Sequence, residues 1–417
     1  MIKKSQEMFL QAIKASLNNI SVDWTENLEQ QEWAELFHMA EQHHVLPMFF
    51  EAVYNSPAAK QMDPKLFLGI KRKTVQMVTL QTMKTSEFLQ LYQVLKEAGV
   101  TACVVKGIIC RELYPKPDYR MSGDEDLLIS PEQFDLCHSA LTDFGMQPSD
   151  PGKDIYADYE VSYKKPGSPI YIELHKSLFP PDSEAYGELG RYFENAMDRL
   201  IEISIQGCEI STLEPTDHLF YLICHAFKHF LHSGFGIRQV CDIALFANRY
   251  GESIDWGRVL TGCREIHAEL FAAAIFRIGE KYLGVVQEKT WYPQEWPQIQ
   301  INEEPMLVDL LDSGIYGYSS MSRRHSSNMT LSAVSAQKRG KRTTNGVMET
   351  LFPSAKALEG RFIYLRRHPY LLPVAWIDRI LRYRKELQRL SNNDAAESIK
   401  IGNQRTELLK MYGIIKK

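Results

Sequence analysis

Three acids stand in a row at Asp124, Glu125 and Asp126, immediately before the apolar run Leu127-Leu128-Ile129. Charge at the mouth of what reads as a buried strand calls for a positive partner. Strand side chains alternate faces, so Asp124 and Asp126 share one face and Glu125 and Leu127 the other. Two such carboxylates stand about 6–7 Å apart at the backbone. They can converge on Mg2+, which takes hard oxygen ligands. Paired metal ions in turn clamp the attacking and leaving oxygens of an in-line displacement. A second apolar strand, Tyr171-Ile172-Glu173-Leu174-His175, carries a lone acid. Glu173 would share its face with Tyr171 and His175, and a cation would explain its burial. Asp124, Asp126 and Glu173 are therefore the candidate catalytic and metal-ligating residues. The bland alternative, solvated acids at a strand end, is weakened by Glu173 standing between aliphatic neighbours.

The elements that must position these residues are legible around them. Residues 1–98 show apolar positions at helical spacing, and Gly99 stops the last helix. "VTACVVKG" reads as a buried strand ending in a turn at Gly107, followed by a short helix and the Pro/Gly-punctuated loop 115–123. Ser130-Pro131 opens a further helix. "YADYEVSYKK" and "SPIYIELHKSLF" alternate on either side of "PGS" and read as a hairpin, as does "LIEISIQGCEISTL". The pattern predicts an α+β fold: a small mixed β-sheet flanked by helical regions. It divides into an N-terminal helical region 1–98, a core 99–214, a helical domain 215–319, a Ser/Thr/Lys/Arg-rich mobile loop 320–346 and a basic aromatic C-terminal region 347–417.

The order strand, Gly turn, helix, Asp-x-Asp strand, then a strand with one more acid resembles the nucleotidyltransferase superfamily related to polymerase β. More narrowly, "VVKGIICRELYPKPDYRMSGDEDLLIS" with "YIELH" is similar to bacterial nucleotidyltransferase-like proteins often left uncharacterised. The resemblance implies transfer of a nucleoside monophosphate from a nucleoside triphosphate such as ATP to an acceptor hydroxyl, with loss of pyrophosphate. It implies Mg2+ as cofactor, two ions, with Mn2+ as the alternative. Asp124 and Asp126 match the paired metal-binding aspartates. Glu173 matches the third carboxylate, which ligates metal and helps deprotonate the acceptor. Gly107 matches the turn glycine, where backbone approaches the triphosphate. Ile108 follows Gly107 where the superfamily has a Gly or Ser, so Lys106, Arg120 and Ser122 become the candidates for phosphate contacts. For Arg120 a salt bridge to a neighbouring aspartate is the equal alternative.

Four histidines, at 218, 225, 229 and 232, fall on one face of "TDHLFYLICHAFKHFLH". Histidines packed at a domain interface and satisfied by hydrogen bonds are the favoured reading; the alternative is that His225, Lys228 and His229 line the cleft opposite the carboxylates, with His175. A zinc hydrolase reading is poor, because "HAFKH" lacks the acid of H-E-x-x-H. Arg238 and Asp242 are spaced to pair along a helix.

The composition, 44% hydrophobic and 24% charged over 417 residues, supports a sizeable folded core and argues against disorder. The net charge of −4 names no partner. Seven cysteines without C-x-x-C spacing read as reduced thiols and point to the cytoplasm. The N-terminus reads as an amphipathic helix and not a signal peptide, and no apolar run is long enough to span a bilayer. Basic residues gather after about residue 320, and "RFIYLRRHPYLLPVAWIDRILRYRK" has two readings. Packing on the body is favoured over peripheral contact with an anionic membrane. Nucleic acid stays open as a partner, although no known nucleic-acid fold accompanies the charges. A non-catalytic protein of the same fold, acting in binding or assembly, is the rival reading.

Overall fold

The computed structural model describes residues 2–152, 154–285, 293, 295–314, 320–340, 355–358, 362–389 and 395–416. Four helices open the chain: α1 Lys4–Leu17, α2 Gln30–Gln42, α3 Leu46–Val53 and α4 Pro64–Glu97. α4 begins at Pro64, and Asp63 caps it by accepting hydrogen bonds from the backbone N–H groups of Lys65 and Leu66. Strand β1 (Cys103–Val105), the short helix α5 (Gly107–Arg111) and strand β2 (Glu125–Leu128) follow. Helix α6 (Phe134–Asp143) and strands β3 (Gln147–Pro148), β4 (Glu160–Lys164), β5 (Tyr171–His175), β6 (Leu200–Ile205) and β7 (Cys208–Leu213) complete the α+β core.

The seven strands form one mixed sheet in the order β3-β4-β5-β2-β1-β7-β6. β4–β5 and β6–β7 are antiparallel pairs, as their alternating patterns predict. β2 runs antiparallel to β1 and parallel to β5. Because strand side chains alternate, the two faces have different coverings. Val104, Leu127, Ile172 and Leu174 pack with Phe88 and Leu91 of α4 and with Cys137 and Leu141 of α6. Cys103, Val105 and Leu128 point the other way and join the main core with α7 (Pro215–Leu231). α8 (Ile237–Tyr250), α9 (Trp256–Glu265) and α10 (Glu269–Leu283) extend that same core. Phe9 and Phe49 from the N-terminal helices lie in it as well, so helices before and after the sheet share one apolar interior. The seven cysteines are free thiols.

Part of the expected mobile loop 320–346 is ordered. Beyond α11 (Glu304–Ser313), residues Met321–Lys338 form helix α12, which packs against α14 (Ala395–Met411). Ser320 caps it by accepting from the Arg323 backbone N–H at 3.2 Å. Its buried stripe is Ser322, Ser326, Thr330 and Ala333, small groups at helical spacing. The Ser326 and Thr330 hydroxyls donate to the carbonyls of Arg323 and Leu231. The Arg323 guanidinium is buried against Asp309 at 2.7 Å. A helix can bury small polar residues when their hydroxyls find carbonyls, as those of Ser326 and Thr330 do, a device that an apolar-periodicity count misses. Residues 341–346 lie outside the described residues. In the basic C-terminal region, helix α13 (Leu372–Arg389) seats Ala375 in a small apolar cluster with Leu358, Phe362 and Leu365, separate from the main core.

Candidate active site

The register between two parallel strands assembles the site. On β2 and β5, Asp126 is the Cα partner of Glu173, and Leu128 of His175. Partnered residues project to the same face, so Asp126, Glu173 and His175 share the face turned toward α7. One ligand atom from each lies within 4.8 Å of the others. His175 Nε2 lies 3.2 Å from Asp126 Oδ1 and 3.9 Å from Glu173 Oε2. Its Nδ1 lies 3.6 Å from Glu160 on β4, whose Cα is paired with that of His175.

The turn between β1 and α5 adds a cation. Lys106 occupies φ 63°, ψ −113°, an uncommon backbone conformation for a residue with a Cβ. Its N–H donates to His218 Nε2 at 3.1 Å, and the ring of His218 in turn contacts Thr212. The side chain then reaches Asp126, with Nζ 2.9 Å from Oδ2. Burial works against the Lys106 charge, but Asp126 and Asp124 outweigh it and hold the ammonium well above the ordinary lysine value. Burial likewise opposes the Asp126 charge, and Lys106 and His175 overcome it, so Asp126 stays ionised. Glu173 differs: burial, with Asp126 and Asp124 adding to it, pushes its carboxyl up to about 7. Two carboxylates on one face thus have opposite tendencies, one a fixed anion and one a proton acceptor poised near neutrality.

Helix α7 roofs the cluster. Lys106 Nζ lies 3.3 Å from His225 Nε2, which lies 3.3 Å from His229 Nε2. Burial and the nearby lysines hold both imidazoles well below their ordinary range, so they face the ammonium as neutral rings. Lys228 is half-buried on the same helix, and burial and Lys106 lower its pKa.

The donor set suits a divalent cation. Two carboxylates and an imidazole converge, and His175 Nδ1 is buried without a hydrogen-bond partner, while Asp126 Oδ2 is held by the Lys106 ammonium. A family model described as uncharacterised nucleotidyltransferase matches residues 29–284, more than half of the chain. The chain belongs to this nucleotidyltransferase family. No curated protein and no solved structure matches it. The matched span holds α2 through α10, and with them every side chain of the cluster.

The other residues anticipated for the family site are distributed unevenly. Asp124 lies one residue ahead of β2, half-buried, and outside the Asp126–Glu173–His175 trio. His218 and His232 share a helical stripe with His225 and His229 but not their surroundings. His218 is buried under the β1 turn, and His232 pairs with the Tyr186 hydroxyl at 2.7 Å. Arg120 is not placed to bind phosphate. It is 1% exposed and grips Asp242 with Nε and Nη2 at 2.8 and 2.6 Å. That carboxylate also accepts from the Tyr114 hydroxyl, so Asp242 is not paired along the helix with Arg238. Arg238 instead donates to the carbonyl of Met121. Arg120's acid therefore comes from α8 and not from the neighbouring aspartates. Ser122 is likewise engaged, accepting from Arg111 at 2.7 Å and donating to Glu125 at 3.2 Å.

Glu125 explains Gly107. Fully buried, it accepts from the Ile108 N–H at 2.8 Å and pairs with Arg111 at 2.5 Å. A Cβ on Gly107 would stand 2.0 Å from Glu125 Oε2, so the crowding that demands glycine comes from this carboxylate. The middle acid of the triplet thus staples the turn that presents Lys106, while its neighbour Asp126 faces the site.

Sequence reasoning missed Glu160 and Lys84, and named His218 only as a member of the histidine face. Lys84 is 3% exposed on α4 and donates to the carbonyl of Ser122 at 3.1 Å. Burial lowers its pKa against the pull of Glu125 and Asp124. Its signal was a cation inside the stripe Gln81, Lys84, Thr85, Phe88, whose members lie three and four apart on one helical face. Thr82 and Thr85 also fix the loop ahead of β2, both donating to Asp118.

Proposed function

We propose that the chain transfers a nucleoside monophosphate from a nucleoside triphosphate to a hydroxyl acceptor, releasing pyrophosphate, with Mg2+ as cofactor. The observation that carries this reading is the convergence of Asp126, Glu173 and His175 from two paired strands beside Lys106. Asp126 and Glu173 would hold the metal, with Asp124 at the edge of the site as a further carboxylate. A divalent ion there would neutralise charge building on the triphosphate, usually the largest source of rate in such displacements.

The chain's own groups account for the rest. Glu173 is the group proposed to help deprotonate the acceptor hydroxyl; its carboxyl sits near neutrality in the metal-free protein, and a bound cation would lower it. Lys106, held by a strained turn and charged, would pair with a phosphate oxygen. His225 and His229, kept neutral by burial, would hydrogen-bond without adding positive charge. Lys228 borders the same space from α7.

Calorimetry with ATP, GTP, CTP and UTP, with and without Mg2+, tests the reading. The control is Asp126→Asn, first checked for folding. Mg2+-dependent binding that disappears in the variant supports it. Nucleotide binding indifferent to both the metal and Asp126 overturns it.

A second reading has an observation of its own. Lys106 already neutralises Asp126 at 2.9 Å, as a resident cation would. A non-catalytic member of the family that uses the fold for binding would look the same in this respect. It predicts nucleotide binding without Mg2+ and no release of pyrophosphate.

A further inference from the structure

Helix α13 lies apart from the proposed reaction and has two unlike sides. Inward, Ala375 is fully buried in the small cluster with Leu358, Phe362 and Leu365. Outward, Val374, Ile377 and Leu381 are 54%, 59% and 52% exposed, and Tyr370, just ahead of the helix, is 73% exposed. Steps of three and four put Val374, Ile377 and Leu381 on one stripe of the helix. Large apolar groups along one stripe are unusual on a solvated surface and mark a contact face.

The charge around that stripe is one-sided. Arg366 and Arg367 precede the helix, and Arg379, Arg382, Arg384 and Lys385 follow along it. From residue 361 to 385, Asp378 is the one acid. An apolar stripe in a segment this rich in basic residues fits a surface that is anionic at its face and apolar beneath it. Nucleic acid would meet the cations but leave aliphatic Val374, Ile377 and Leu381 unsatisfied. A second copy of the same face would set cation against cation. The helix has 18 residues, and no helix of the described residues is long and apolar enough to cross a membrane, so α13 suits lying on a bilayer and not spanning one.

We propose that α13 docks the protein on an anionic lipid surface, burying Val374, Ile377 and Leu381 among the acyl chains while the excess of basic residues in this segment attracts the headgroups. The basic residues supply attraction from a distance, and the stripe supplies the part of binding that salt does not screen.

The test is co-sedimentation of the full chain with vesicles of phosphatidylcholine alone and with vesicles that also contain phosphatidylserine. Binding to the second and not the first is expected. The double substitution Ile377→Asp, Leu381→Asp should weaken it by about tenfold or more, with an unchanged circular-dichroism spectrum and melting temperature. No binding to the anionic vesicles, or binding that the double substitution leaves intact, overturns the proposal. So does a substitution that abolishes self-association or RNA binding in place of vesicle binding. Nucleotide binding is read separately on the same samples, so failure here leaves the proposed reaction untouched.

Discussion

Lys106 and Asp126 form a buried ion pair, Nζ to Oδ2 at 2.9 Å, across the first two strands of the sheet. Val105 is the Cα partner of Asp126, so the pair joins the end of β1 to the middle of the site. Removing one partner strands a charge in a desolvated place. Asp126→Asn is expected to destabilise the metal-free protein by about 3–5 kcal/mol. Adding Lys106→Met to that variant should recover part of the loss. Urea unfolding of the two variants and the double variant checks this, and additive losses would show that the two groups do not interact.

Gly107→Ala should be among the most damaging single-methyl changes in the chain. The new Cβ meets Glu125 Oε2 at 2.0 Å, against a carboxylate already committed to Ile108 and Arg111. Moving it leaves the buried Arg111 guanidinium without its acid, so a loss of about 3 kcal/mol or more is expected in urea unfolding. Gly123→Ala, whose Cβ would meet nothing within 4 Å, is the contrasting control and should be close to neutral.

Arg120→Gln separates a structural role from a ligand role. The substitution breaks the grip on Asp242 and should cost about 3–5 kcal/mol of stability. In the fraction that stays folded, nucleotide affinity should not change. A selective loss of nucleotide affinity at full stability would return Arg120 to the phosphate site.

Two fully buried histidines, His43 and His218, should each lower stability on mild acidification, a contribution that the other buried histidines share and the raised Glu173 carboxyl opposes. Burial lowers His43 to about 4 and His218 to about 3. Unfolded, each titrates near 6.5, so below that pH the unfolded chain binds more protons than the folded one. Their contribution is complete above pH ~6.5 and declines as pH falls toward the folded values, by at most about 1.4 kcal/mol per pH unit for each group. Urea unfolding at pH 7, 6 and 5 should show this decline. His218→Gln should reduce the slope, and an equal slope in the variant would assign the effect elsewhere.

Local pattern alone determined much of this protein. Alternation in 156–165 and 168–179, and again in 200–213, defined two hairpins, and both are present. The face rule separated Asp126 from Glu125 before any coordinates, because a period of two is a property of the backbone. Glu173 stood out because an acid between Ile172 and Leu174 needs a partner. These inferences rest on neighbours in the chain, where covalent geometry sets the relation.

Tertiary structure decided the rest. That Asp126 faces Glu173 and His175, while Asp124 stays outside their trio, follows from the β2–β5 register, which is set by packing across two strands. That Arg120 binds Asp242 depends on α8 arriving beside the loop, 122 residues along the chain. Helix α12 escaped notice because much of its burial uses hydroxyls and a guanidinium beside few apolar groups. Spacing along a chain reports which way a side chain points. Which partner it finds depends on where distant segments pack, and for an ion pair or a metal site the partner determines the chemistry.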